Sequence, residues 1–352
     1  MSKYVNKLLE YYKQNPDVIQ PTSAWKEVIE KSIRSAARDV QIRFICDFQN
    51  STSNFYDGNK ESHWFESLLS YITQTGFDID DLEPSRRLTD YCPTKIYFSW
   101  QDTLRFHTIY LPIILMALDM PLPNRTYIKN LFQIKSCKPN GERKDFNPLQ
   151  LIEYYGKDAF RFLIVKLVSE QRKVLSLEDM TRQYNMDLVE GLDQLISRII
   201  NMLDMVGNRS VPRVDAHSCF DTDLRQFVSQ SVKNIEWYMD NIEFSQSLSA
   251  ISSLIKLTNQ YICESTPGYL FEKNDTQQLQ CVLYYATELI RIISILLQPF
   301  MPEFSKKIFS YFKWDSEETS WNSSKYLGLG KPKRIEKEKI TLFPRIPQYL
   351  FQ

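Results

Sequence analysis

The second half of the chain carries a repeating apolar pattern that predicts helices. From about residue 181 onward, apolar residues recur at three- and four-residue steps, as at Leu188, Leu192, Leu195 and Ile199. Such a stripe gives a helix one apolar face, and several helices of this kind bury their faces together in a bundle. We therefore predict an all-α helix bundle with a C-terminal extension over 181–346.

The first half of the chain has a different pattern, which predicts a strand, a helix and a second strand in that order. Lys95–Trp100 is a short apolar and aromatic run typical of a buried parallel strand, a helix follows to about residue 118, and Thr126–Ile134 is a second strand candidate. This order predicts half of a doubly wound, Rossmann-like α/β sheet over 46–148. Helices are also predicted over 4–14, 22–39 and 62–75, and short linking helices over 149–180.

Composition excludes several classes of site. The 352 residues balance Lys+Arg against Asp+Glu at 43 each, so any binding of nucleic acid must use a local patch. Nine glycines leave no material for a glycine-rich phosphate loop. The six cysteines form no C-x-x-C pair, so no metal site is predicted, and scattered thiols fit a reducing cytoplasm.

Membrane insertion is not predicted either. No uninterrupted apolar run approaches the roughly 20 residues that span a bilayer. The first residues, Met1–Lys7, contain no apolar core of a secretory signal. We therefore expect a cytoplasmic protein that does not enter membranes.

Gln101–Pro123, Leu296–Glu303 and Leu342–Ile346 are three segments that carry a resemblance to methionyl-tRNA synthetases, a family of class I aminoacyl-tRNA synthetases. Gln101–Pro123 resembles the family's strand-to-helix stretch, which is close to G-K-D-I-x-x-F-H-x-x-x-W-P-x-x-L-M-A. Leu296–Glu303 and Leu342–Ile346 resemble the family's anticodon-binding region. The resemblance implies a partial nucleotide-binding domain, then an anticodon-binding-like bundle, with 1–45 as a remnant of the insertion in the catalytic domain. It implies a truncated paralogue that lacks the first half of that domain.

The resemblance does not include the two sequence motifs with which the family handles ATP. H-I-G-H is absent, and Cys137–Gly141 stands where K-M-S-K-S belongs, just before Phe146-Asn-Pro148. Lys129-Asn130 replaces the H-G pair that approaches the adenine. We therefore expect no charging of tRNA by this chain alone, no bound cofactor, and ATP chemistry only with a partner. No catalytic residue is assigned.

The methionine pocket of the family is better represented. Trp64, Tyr71, Asp102 and His107 match positions that the resemblance assigns to the amino-acid site. They would offer an aromatic wall, a histidine and a carboxylate for a small amino acid or nucleoside. The alternative is that the aromatics are core residues and the histidine is a satisfied buried one.

Anticodon reading is expected to be lost or altered. Arg198 matches a family arginine, but Gln194 stands where the family has asparagine. Gly268 replaces the tryptophan that stacks on a base, and Tyr269 could partly compensate. A lost aromatic platform removes roughly 1–3 kcal/mol of base stacking.

A basic patch is the second candidate for RNA or phosphate binding. It contains Arg125, Lys129, Lys138, Arg143 and Lys144, with few acids between them. A polyanion such as an acceptor stem would suit it. The alternative is an exposed, solvated loop.

Three functions remain open from the sequence. The first is a synthetase-like protein reused in a specialised, possibly biosynthetic pathway to bind an amino acid, an aminoacyl ester or tRNA. The second is one subunit of a split synthetase, and the third is a scaffold or regulatory binding protein. Because half a doubly wound sheet leaves a strand edge and an apolar face uncovered, we expect another protein chain as partner, either a second copy or a complementary half-synthetase.

Overall fold

The chain forms two compact units, Met1–Leu131 and Phe132–Gln352, which we describe separately. The computed structural model describes residues 2–20, 68–70, 72–73, 96–100, 104–129, 133–137, 143–145, 147–167, 174–206, 209–214, 222–336 and 340–347.

The first unit is built on a three-stranded parallel sheet. Its strands are β1 (Ile19–Gln20), β2 (Ile96–Trp100) and β3 (Arg125–Lys129), in the order β1-β3-β2. Between β2 and β3 the chain passes through a π-helix (Phe106–Tyr110) that continues into α2 (Leu111–Ala117). Two parallel strands joined by a helix form the βαβ arrangement that the sequence predicts.

Helix α1 (Ser2–Gln14) packs on α2 within the first unit. Leu8 and Ile109 are fully buried in the cluster that joins them, and the hydroxyl of Tyr12 donates to the Thr108 carbonyl oxygen at 2.7 Å. The predicted helix over 4–14 is confirmed. Of the predicted 62–75 helix, 68–70 and 72–73 are helical, whereas the predicted 22–39 helix lies outside the described residues.

The second unit begins with a small mixed sheet. Strand β4 (Gln133–Cys137) is antiparallel to β5 (Arg143–Asp145) and parallel to β6 (Val174–Ser176). The prediction of one strand over 126–134 is therefore wrong, since β3 and β4 belong to different sheets. An apolar run does not reveal the point at which a chain leaves one sheet for another.

Helices make up most of the described remainder of the second unit. In chain order they are α3 (Pro148–Tyr155), α4 (Lys157–Leu167), α5 (Leu177–Tyr184), a π-helix (Asn185–Asp193), α6 (Gln194–Met205), α7 (Thr222–Asp240), α8 (Phe244–Glu264), α9 (Pro267–Glu272), α10 (Thr276–Leu297) and α11 (Pro302–Phe312). Their apolar faces share one continuous core, as the periodicity predicts.

Helix α10 occupies the centre of that core. Its 22 residues are long and apolar enough to cross a membrane, but 83% of its most apolar window is buried inside the protein. This burial is typical of the central helix of a bundle, so its hydropathy needs no membrane to explain it. Near its start, Cys281 is disulfide-bonded, which corrects the expectation that the cysteines are all thiols, whereas Cys263 is an exposed free thiol.

A buried ion pair fastens the segment 313–336, here called the strap, to α10. Arg291 and Glu288 pair at 2.8 Å with almost no solvent exposure. The Arg291 guanidinium also donates to the Glu318 carbonyl oxygen at 2.8 Å, and Glu288 accepts from the Gly328 main-chain N–H at 2.7 Å. Burying these charges is tolerable because nearly all their hydrogen-bonding groups find partners.

Candidate nucleic-acid interface

A cleft of about 760 Å³ opens along one face of α6. The α6 side chains that line it follow the helical pattern i, i+3, i+4, i+7, i+8 and i+11, which places them on a single face of the helix. They are Gln194, Ser197, Arg198, Asn201, Met202 and Met205. The volume falls in the range of roughly 300–1,000 Å³ that is usual for ligand sites.

The opposite wall comes from a sharp turn between α8 and α9. Thr266 takes a left-handed backbone conformation, with φ of 43°, two residues after the last residue of α8. Pro267 then starts α9, where its missing N–H costs no hydrogen bond. The turn places Cys263, Gly268 and Tyr269 along the cleft.

Arg198 supplies the cleft's charge. Among the described residues that line it, no other carries a formal charge at neutral pH. Its Nη1 donates to the Cys263 sulfur at 3.3 Å, which ties the guanidinium of α6 to the end of α8. The cleft therefore favours a neutral or anionic ligand that is rich in hydrogen-bond acceptors.

The rim of the cleft exposes apolar and aromatic surface. Met205 and Tyr269 are each 59% exposed and Phe271 is 44% exposed. Lys273 lies over the Tyr269 ring at 5.6 Å from its centroid. Contiguous exposed apolar surface of this kind marks binding sites, and aromatic rings are stacking platforms for unpaired bases.

Gly268 leaves this wall open. A Cβ added there would meet no atom within 4 Å. The structure thus brings together Gln194, Arg198, Gly268 and Tyr269, which sequence reasoning drew from two separated segments. Sequence reasoning missed Cys263, although the polar positions of α6 at helical spacing, Asn201 among them, were visible in the sequence.

Of the four residues predicted to form the amino-acid pocket, the structure describes only one. His107 lies in the π-helix before α2 and is 8% exposed. Trp64, Tyr71 and Asp102 lie outside the described residues. Convergence of these four side chains on one cavity therefore stays a prediction.

The predicted basic patch falls in both units. Arg125 is the first residue of β3 and is half-buried, and Lys129 is the last residue of that strand. Arg143 and Lys144 lie on β5, opposite β4, so this part is a strand rather than a loop. Lys138 lies outside the described residues, and a shared phosphate site stays a prediction.

Within the part of the chain that the structure describes, no three His, Cys, Asp or Glu side chains come together in a way that could hold a metal ion. The cleft itself offers amides, hydroxyls, a guanidinium and one thiol. These groups suit an organic ligand with hydrogen-bonding edges.

Family models cover most of the chain. Residues 1–200 match the model described as tRNA synthetases class I (M). Residues 211–331 match the model of the anticodon binding domain of methionyl tRNA ligase. The second match includes the turn and α9, which form one wall of the cleft.

Curated relatives match over almost the full chain. It is 33% identical over 358 residues to the methionine–tRNA ligase of Halalkalibacterium halodurans, a match that covers 98% of this chain and 53% of that protein. It is 31% identical over 359 residues to the methionine–tRNA ligase of Bacillus subtilis, covering 98% and 52%. The chain thus spans about half the length of the curated relatives it matches.

Solved structures share the fold. The apo form of Mycobacterium tuberculosis methionyl-tRNA synthetase aligns with a TM-score of 0.82 and 24% sequence identity, over 98% of this chain and 68% of that one. The same enzyme in complex with methionyl-adenylate aligns with a TM-score of 0.80.

Proposed function

This chain belongs to the methionyl-tRNA synthetase family, and from that premise we propose that it binds tRNA through its helical unit and does not activate methionine by itself. The single observation that carries the proposal is the cleft between α6 and the α8–α9 turn. It joins a guanidinium, amides and exposed aromatic rings in one cavity of about 760 Å³.

The chemistry of the cleft suits an unpaired nucleotide. Every base has a flat face that can stack on an aromatic ring such as Tyr269, and an edge that can accept from Arg198. An unpaired base in a tRNA loop presents both at once. The absence of carboxylates among the described lining residues also favours a polyanionic ligand.

The catalytic part of the proposal rests on sequence. Within the matched part of the chain, Cys137–Gly141 stands where the family's K-M-S-K-S belongs. Class I activation needs little covalent chemistry from the protein, so loss of the phosphate-positioning groups removes most of the catalysis. We assign no cofactor, and ATP handling only together with a second chain that supplies those groups.

The proposed biological role is to hold tRNA for another protein. A paralogue that holds tRNA without charging it would present the RNA, or an aminoacyl ester on it, to another protein in a specialised pathway. Such a role requires a protein partner, whether a second copy or a complementary synthetase half.

The direct test is a fluorescence titration of a labelled methionine tRNA transcript into the purified chain. Arg198→Ala should weaken binding at least about fivefold, because it removes charge-assisted hydrogen bonds worth roughly 1–3 kcal/mol. The matched control is Arg182→Ala. Arg182 is an exposed arginine paired with Asp179 on α5 and does not line the cleft.

Equal binding by the two arginine variants would place the RNA elsewhere and defeat the proposal for the cleft. No binding by the wild-type chain at micromolar concentration would defeat it altogether. Activation is tested separately: methionine-dependent exchange of pyrophosphate into ATP should be absent, and robust exchange by the pure chain would refute that part.

A further inference from the structure

We infer that the helical unit has a second binding site, an apolar groove beside α4 that takes a small amphipathic carboxylic acid. The groove has a volume of about 390 Å³, within the range of roughly 300–1,000 Å³ that is usual for ligand sites. It shares no lining residue with the α6 cleft, so the inference does not depend on the proposed binding of RNA. It rests on the apolar lining of the groove and on the single arginine within that lining.

The lining of the groove is almost wholly apolar. One side is α4, and the other is formed by the end of α7, the start of α8 and the turn between α10 and α11. The lining includes the side chains of Phe160, Ile164, Val165, Met239, Phe244 and Phe300. The rings of Phe244 and Phe300 meet edge to face, with 6.4 Å between their centroids. Most of these side chains are only partly buried against the core, so the groove presents apolar surface that a ligand would remove from water.

Arg161 supplies the only formal charge among the described residues that line the groove. Its Nε donates to the Phe300 carbonyl oxygen at 3.1 Å, and its Nη2 donates to the Pro299 carbonyl oxygen at 3.0 Å. These two bonds hold the guanidinium at the groove, and within the described part of the chain no carboxylate pairs with it. A cation that is already fixed loses little further freedom when it binds an anion, which favours binding.

The lining and the arginine together define the chemistry of the ligand. An alkyl or aryl body would bury its surface in the groove, and a carboxylate at one end would pair with Arg161. A free amino acid or a sugar is a poor fit, because the lining side chains offer no acceptor for an ammonium or for hydroxyl groups, and burying such groups without a partner is costly. A cationic amphiphile would meet Arg161 with a like charge.

The experiment titrates the full chain by calorimetry with octanoate, 1-octanol and octylammonium, three probes that share one apolar body and differ in the head group. Octanoate should bind about threefold to tenfold more tightly than octanol, because a charge-assisted hydrogen bond at a partly exposed site contributes modestly. Octylammonium should bind most weakly of the three. Hexanoate should bind at least about threefold more weakly than octanoate, since each fully buried methylene is worth up to about fourfold in affinity.

Substitutions of Arg161 test the recognition of the head group. In Arg161→Gln the amide can still donate to a carbonyl oxygen but carries no charge, so octanoate should fall to the affinity of octanol. Octanol itself should bind as before, which shows that the groove is intact. Arg161→Lys keeps the charge and should keep most of the advantage of octanoate. The matched control is Arg182→Gln, an exposed arginine outside the groove, which should leave all three affinities unchanged.

A substitution of Val165 tests the recognition of the apolar body. Val165→Trp places a large side chain in the groove, so octanoate and octanol should both bind at least about fivefold more weakly. Circular dichroism and the unfolding temperature serve as the folding control.

The inference is supported if octanoate ranks first in the wild-type chain and loses its advantage in Arg161→Gln but not in Arg161→Lys. Equal affinities of the three probes would overturn it, because the groove would then recognise only an apolar body. It is also overturned if octanoate does not bind at millimolar concentration, or if its binding survives Val165→Trp unchanged. None of these results bears on the binding of RNA, which the Arg198 variant tests separately.

Discussion

The two units of this protein bury polar groups in different ways. In the helical unit, a complete ion pair lies in the interior, where Glu288 and Arg291 hold the strap against α10. In the described part of the sheet unit, two buried hydrogen bonds join neutral groups. Tyr12 donates to the Thr108 carbonyl oxygen, and the Thr108 hydroxyl donates to the Leu104 carbonyl oxygen.

The comparison shows where single substitutions should matter most. A buried charge that loses its partner is strongly destabilising, whereas a lost neutral hydrogen bond costs far less. The helical unit, which carries the candidate RNA cleft, should therefore respond more steeply to changes in its polar interior than the sheet unit does.

The largest effect is expected for Glu288→Ala. It leaves the Arg291 guanidinium without its carboxylate and also removes the acceptor for the Gly328 N–H. We expect a loss of about 3–5 kcal/mol in the free energy of unfolding, measured by urea denaturation. As a control, Asp179→Ala breaks the exposed pair with Arg182 and should cost less than about 1 kcal/mol. Similar costs for the two variants would contradict the comparison.

A smaller loss is expected for Gly330→Ala. The new Cβ would overlap a Glu288 carboxylate oxygen, and that carboxylate is fixed by its own hydrogen bonds. Overpacking of this kind typically costs about 1–3 kcal/mol. The matched change Gly268→Ala enters open space, and thermal unfolding should separate the two variants clearly. An unchanged stability for Gly330→Ala would mean that the strap is held less firmly than described.

In the sheet unit, Tyr12→Phe removes one buried hydrogen bond between α1 and the helix that follows β2. The ring still fills its place, so the expected loss is about 0.5–1.5 kcal/mol. Urea denaturation followed by near-ultraviolet circular dichroism would measure it. A loss as large as that of Glu288→Ala would break the contrast between the units.

The smallest effect concerns pH and the strap. The Glu318 main-chain N–H and then the Lys331 side chain hold the pKa of Asp315 well below its ordinary value of 3.8. Because the folded pKa is lowered, this stabilisation is present above pH 3.8 and is lost as the pH falls further. Asp315→Asn should therefore lower the unfolding temperature slightly at pH 7 and bring no loss at the acid end. A constant difference across the whole pH range would contradict this reading.

The sequence predicted the helical unit well because its elements are long and strongly periodic. The stripe through Leu188, Leu192 and Leu195 is buried as expected. The sheets were harder to predict because the sequence of a short apolar strand does not show which other strand it pairs with. Nothing in Thr126–Ile134 indicates that the chain changes sheets there, and nothing in Ile19–Gln20 indicates that two residues pair with β3.

The sequence indicated several residues that line the candidate cleft, but it did not indicate how the helices that carry them pack together. Arg198 and Gly268 were singled out through the family resemblance, whereas the contact between Arg198 and Cys263 arises from the crossing of α6 with the end of α8. The left-handed turn at Thr266 then sets the direction in which α9 leaves the end of α8. Threonine rarely adopts this conformation, so its identity gave no signal of the turn.

Protection of Cys263 is the most direct test of the central claim that the α6 cleft binds RNA. This exposed thiol lines the cleft next to Arg198, so its alkylation rate by iodoacetamide, followed by peptide mass spectrometry, reports occupancy of the site. At saturating methionine tRNA the rate should fall at least about fivefold in the wild-type chain, and Arg198→Ala should show no such protection at the same RNA concentration. An unchanged Cys263 rate under conditions in which the tRNA is demonstrably bound would contradict the account.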